Sequence, residues 1–202
     1  MTHLRLSGGA ALAVPALLFA PLHTAHITPT VVLVKQADAI RSTLPNAAHF
    51  FLRTVSIGRA DYGRIKQMAS YTPHDDQVKF YYGTDSDGAL TGTVLFPQVN
   101  TQHGPFEIGL TLRPDGSVAQ VVVTKATVET KPWVEAAIKT GFLDEFQGMH
   151  AGDDVTKALE GLDKDHLGAM PTFYADVTAK AVQRGLVLYQ VLFAPHLPGQ
   201  GS

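Results

Sequence analysis

The chain has 202 residues, 45% hydrophobic and 17% charged, with a formal net charge of −2. That composition suits one folded domain with a core, or one domain plus a small extension, and excludes a disordered chain. The near-neutral balance lacks the clustered basic field that nucleic-acid binding needs, and the absence of cysteine excludes disulfides, thiolate chemistry, iron–sulfur clusters and cysteine-based zinc sites. The nine histidines are scattered, with no pair at the four-residue spacing that sets two metal ligands on one helix face.

In chain order, the N-terminus comes first and reads as a targeting segment. Arg5 and the amino group supply a positive start, and Gly8 to Leu22 is an uncharged apolar run. At roughly fifteen residues the run is shorter than a spanning helix needs. Residues 1–25 are therefore expected to be a signal peptide ending after Ala25 or an uncleaved membrane anchor. Either places the rest of the chain in the periplasm or another extracytoplasmic space.

Residues 28–72 read as a small α/β lead-in. Thr30 to Val34 is a β-branched run, and Lys35 to Leu44 has helical spacing that stops at Pro45. His49 to Ile57 is strand-like, and Arg59 to Ala69 carries Tyr62, Ile65 and Met68 on one stripe. A main domain over residues 78–193 follows the polar break at Tyr71 to Asp76. Val78 to Tyr82 predicts a strand, and Ala89 to Val99 predicts its returning partner, interrupted by Pro97. Phe106 to Leu112 and Val118 to Lys125 predict a strand pair joined at Arg113-Pro114-Asp115-Gly116, whose Pro and Gly suit a tight turn. Pro132 to Phe146 reads as one helix with Pro132 in its first turn. Asp153 to Leu159 reads as a short helix, and Val177 to Phe193 as a long amphipathic one. Strands and helices mix without regular alternation, so the expected class is α+β, an antiparallel sheet with packed helices.

Three places could hold a ligand. At His103-Gly104-Pro105 the glycine permits close backbone approach and His103 could donate a hydrogen bond; a plain strand start with an exposed histidine is the other reading. At Val128-Glu129-Thr130-Lys131-Pro132-Trp133, Thr130 could cap the helix, free N–H groups would favour anions, and Trp133 offers a flat face; the alternative is an ordinary cap with a core tryptophan. In Asp165 to Thr178, Thr172 or Asp176 could cap the last helix, although an aspartate there would repel a phosphate. Glu107, Asp115, Glu129, Asp144 and Glu145 read as turn or surface carboxylates. No nucleophile elbow, phosphate-binding loop or zinc-protease motif is present, which leaves hydrolase chemistry without a local signature.

Several of these segments together resemble the FMN-binding domain of the periplasmic flavoprotein subunits of the Rnf complex and the sodium-translocating NADH:quinone reductase, and of related stand-alone exported proteins. The shared pieces, in order, are Gly104-Pro105, Pro114-Asp115-Gly116, Val121-Val122-Val123, Glu129-Thr130, and Phe142-Leu143-Asp144-Glu145-Phe146-Gln147-Gly148. The resemblance covers about residues 78–193. It implies an FMN-binding-domain-like fold, electron transfer near a membrane, and a redox partner protein or membrane electron-transfer complex.

The family's S-G-A-T motif precedes the final helix, and its threonine carries the flavin through a phosphoester. Here one register puts Tyr174 and Asp176 in the glycine and threonine slots, and a register set by Gly168-Ala169 puts Met170 in the threonine slot. Neither supplies a hydroxyl, so the implied FMN is non-covalent. The implied cofactor residues are Gly104, Glu129, Thr130 and the turn Tyr174 to Thr178; His103, Trp133 and Thr172 join them from their own chemistry. The alternative is a flavin-free copy of the fold that serves as an envelope binding or scaffolding module.

Overall fold

The computed structural model describes residues 28–197; the leader expected over residues 1–25 lies outside them. The fold is mixed α+β, with a seven-stranded antiparallel sheet and five α-helices among the described residues. The strands are β1 (Thr30–Val32), β2 (His49–Ser56), β3 (Gln77–Thr84), β4 (Leu90–Leu95), β5 (Gln98–Thr101), β6 (Gly104–Leu112) and β7 (Val118–Thr127). Their order is β1-β7-β6-β4-β3-β2, with β5 also on β6. β1 pairs with β7 and β2 with β3, so residues 28–72 supply both edges of the sheet that residues 77–127 begin.

The helices are α1 (Gln36–Thr43), α2 (Arg59–Ala69), α3 (Lys131–Ile138), the single turn α4 (Lys164–Leu167) and α5 (Ala169–Leu188). β6 is buried from Phe106 to Leu112 on both its faces. On one face α1 brings Gln36 to Glu107; on the other, α5 crosses beside Leu110 and Pro97. Strands covered on both sides lose the simple alternation of a half-exposed sheet. Val182, Leu186 and Val187 of α5 join Phe80, Leu110 and Phe193 in one core. Each such side chain contributes about 1.5–3 kcal/mol on burial.

The strand expected over residues 89–99 is two strands. Pro97 lacks an N–H, but its carbonyl accepts from Ile108 N–H at 3.2 Å. β4 and β5 therefore stay in one register along β6, Leu95 opposite Leu110 and Gln98 opposite Glu107. β3 does not follow them: its pairing with β4 ends at Tyr81 opposite Val94. Gln77 to Phe80 then diverge from β5, and the sheet forks.

Two helices also differ from expectation. The one expected over Pro132 to Phe146 stops at Ile138, where Thr140 Oγ1 donates to Ala137 O at 2.7 Å. Gly141 then turns left-handed at φ +80°, and a separate 3₁₀ segment, Phe142–Phe146, follows. The last helix starts at Ala169, not Val177, and runs on past Leu188 as a π-helical turn, Tyr189–Phe193. Pro171 sits in its first turn, where the missing N–H breaks no helical bond. The segment expected over Asp153 to Leu159 is a 3₁₀ turn, Val155–Leu159, with Asp154 accepting from Thr156 N–H.

Candidate functional site: the corner of β7 and α3

The tight turn from β5 to β6 holds His103. Thr101 Oγ1 accepts the His103 N–H at 3.1 Å and donates to Gly104 O at 2.9 Å. That turn aims the imidazole across to the β7–α3 corner, where His103 Nδ1 lies 3.1 Å from Glu129 Oε1. The carboxylate is 46% exposed, and its other oxygen takes a 3.4 Å bond from the Thr28 hydroxyl. The imidazole meets Trp133 edge-on at 5.4 Å between centroids, and Trp133 lies nearly parallel to Tyr174 at 6.3 Å. Tyr174 is buried against Phe106 and Phe173, with its hydroxyl 3.5 Å from Thr101 Oγ1. Gly104 completes the corner: a Cβ there would stand 2.8 Å from Thr127 Cγ2.

The structure thus brings His103, Gly104, Glu129, Trp133 and Tyr174 together from three distant segments. The others fare differently. Thr130 occupies the N-cap position of α3 but its side chain makes no capping bond. It is 2% exposed, and its hydroxyl is held by the Thr127 hydroxyl and N–H, both at 3.0 Å. Tyr174 to Thr178 is not a turn but helix interior. Neither Thr172 nor Asp176 caps: the Thr172 hydroxyl donates to Gly168 O within the first turn at 2.8 Å, and Asp176 stands half-buried in the helix body. Thr178 is buried, its hydroxyl donating to Tyr174 O at 2.8 Å.

The true start of α5 is Gly168, at φ +83° and ψ 167°, a conformation open to glycine alone, with no side-chain cap. Of the two registers for the motif before the final helix, only the one set by Gly168-Ala169 falls at a helix start, with Met170 in the hydroxyl slot. Thr172 N–H is bonded to Gly168 O and Pro171 has none, so the first turn offers an anion only the N–H groups of Ala169 and Met170.

Two cavities lie elsewhere, and none of the nine residues expected to hold the cofactor lines either, although His166 and Leu167 of the Asp165 to Thr178 segment line the second. A cavity of about 890 Å³ fills the fork between β3 and β5, lined by Tyr71, Lys79, Tyr81, Gln98, Glu107 and Arg184 among others. Arg184 lies 4.5 Å over the Tyr71 ring and has no carboxylate within 4 Å among the described residues. A second, of about 540 Å³, lies beside the start of α5, lined by Phe142, Lys157, Leu162 and His166 among others. Glu107 is not the surface carboxylate expected. It is buried, accepting from Lys125 Nζ at 2.9 Å, Thr124 Oγ1 at 2.8 Å and Gln36 Nε2 at 3.0 Å. The signal for the fork was Pro97, a proline inside a strand pattern.

Among the described residues no group of three or more histidine, aspartate or glutamate side chains could hold a metal ion, and no helix is long and apolar enough to cross a membrane. No family model, no curated protein and no solved structure matches the chain.

Proposed function

We propose that the chain is an exported FMN-binding-type domain that carries electrons near a membrane and holds the flavin without a covalent bond at the β7–α3 corner. The observation that carries this reading is the convergence of His103 with Glu129 and Trp133, from two separate segments, within one hydrogen-bonded and aromatic contact set. A flavin ring needs a flat apolar face and a few directed polar groups, and the redox chemistry is its own. Trp133 offers the face, and Glu129 and His103 the polar groups. Met170 at the start of α5 has no hydroxyl to esterify, which favours non-covalent binding.

A second reading has its own observation. Tyr174 already covers one face of Trp133, and Pro171 thins the N–H set at the helix start. Both features suit a flavin-free copy of the fold that serves as a binding or scaffolding module.

Titration with FMN separates the two. On the first reading, added FMN stays with the protein through desalting, leaves on denaturation, and quenches the chain's single tryptophan. Glu129→Gln and His103→Ala each weaken binding about tenfold, the worth of one directed hydrogen bond. No retained flavin on a chain with an intact circular dichroism spectrum would overturn it in favour of the second reading. Binding indifferent to both substitutions would remove the corner as its site. Yellow colour surviving denaturation would overturn the non-covalent attachment.

A further inference from the structure

β2 is an edge strand with little of the usual protection, since its one arginine, Arg53, folds back over Phe193. It runs eight residues, pairs with β3 without a register shift, and contains neither Pro nor Gly. Phe50, Phe51 and Leu52 stand consecutively at 48%, 46% and 53% exposure. Edge strands in monomers are commonly short, bulged, prolyl or charged, because an open apolar edge pairs with whatever strand it meets. The opposite edge, β1, has only three residues.

The hydrogen-bond phase says which backbone groups are open. Ile57 N–H bonds to Asp76 O at 2.8 Å, one step beyond the Ser56–Gln77 pair. Odd-numbered residues of β2 therefore face β3, and Phe50, Leu52, Thr54 and Ser56 present outward N–H and C=O groups that have no partner among the described residues. Their side chains lie on one face of the sheet. Phe51 and Arg53 lie on the other, where Phe51 stacks on Tyr82 at 5.2 Å and Arg53 lies over Phe193 at 4.9 Å.

We propose that β2 pairs antiparallel with β2 of a second copy of this chain across a two-fold axis centred on Leu52. Pairing of identical antiparallel strands is the closed, self-complementary solution, whereas pairing β2 with β1 of another copy would match three residues and leave an open chain of molecules. Charge and overlap select the register. Centring on Arg53 sets two guanidiniums face to face, and centring on Phe51 aligns only the short stretch His49 to Arg53. Centring on Leu52 sets Leu52 against Leu52, Phe50 against Thr54 and Phe51 against Arg53, which joins the guanidinium to an aromatic face. It aligns His49 to Val55, as long a stretch of strand as centring on Arg53 gives and longer than centring on Phe51 gives. The three half-exposed side chains would cover about 300 Å² per protomer, small beside the roughly 800 Å² per partner of a standard interface. The dimer is accordingly concentration-dependent.

The full chain, which has no native cysteine, makes the test direct. In Leu52→Cys two thiols meet across the axis, and mild oxidation gives a disulfide dimer on a non-reducing gel. Thr54→Cys alone does not, because its two copies lie four residues apart along the pair, beyond disulfide reach; mixed with Phe50→Cys it does. Wild type shifts from monomer to dimer with rising concentration in sedimentation, and Leu52→Lys stays monomeric with an unchanged circular dichroism spectrum. Equal cross-linking of Leu52→Cys and Thr54→Cys overturns the register. A wild-type chain that stays monomeric, with no Leu52→Cys cross-link, overturns the pairing and leaves the edge to a foreign strand. If Leu52→Lys does not fold, the cysteine series alone decides.

Discussion

Tyr189 shows how one buried group sets a pH limit. Its ring lies 5.5 Å from Phe193 and its hydroxyl 3.4 Å from Pro114 O. Burial first, and the nearby Asp115 charge second, push the phenol from 10.0 up to about 12. The folded state thus holds the proton more tightly than the unfolded chain. Stability from this group is intact below about 10 and falls as pH rises from there toward 12. The urea midpoint should fall over that window, and Tyr189→Phe should flatten the fall; an equal slope in both would assign it to other groups. The same scale separates which side-chain placements were legible in the sequence. His103, Glu129 and Trp133 could be read because they sit at element ends beside turn-forming residues. Glu107 could not, because its partners Gln36, Thr124 and Lys125 lie 71, 17 and 18 residues away and no local pattern joins them.

At the scale of elements, α5 carries the packing. Gly185 lets it touch the sheet: a Cβ there would lie 2.5 Å from Leu110 Cδ2 and 2.9 Å from Pro97 Cγ. Gly185→Val should cost about 1–3 kcal/mol in urea unfolding through overpacking. Gly63 of α2 has nothing within 4 Å of the same position. Gly63→Ala should therefore stabilise by up to about 1 kcal/mol through helix propensity. An equal sign for the two would show that close packing is not what Gly185 serves. The body of α5 was legible from Val182 and Leu186 at helical spacing. Its start was not, because Gly168 supplies no side-chain cap, and Thr172 and Asp176, residue types that usually mark a boundary, lie inside the helix.

For the whole molecule, the α+β class and most strands followed from pattern and turn chemistry, but the strand order did not. It depends on pairs such as Val31 with Ala126, far apart in sequence and fixed only in the folded chain. Because residues 28–72 lend both edge strands, and Ile65 of α2 belongs to the common core, thermal unfolding should be one cooperative transition. Far-ultraviolet circular dichroism and Trp133 fluorescence should coincide; two separated transitions would make residues 28–72 an independent unit. The fork gives that shared sheet a mechanical character. β2 and β3 are joined to each other along their full lengths, yet β3 grips β4 only from Tyr81 to Thr84. Tension on the β2–β3 ribbon at its forked end therefore acts as a peeling load, concentrated on the Tyr81–Val94 rung, and the rungs give way one after another rather than all at once. The opening that holds the cavity of about 890 Å³ is also the notch from which the sheet would tear.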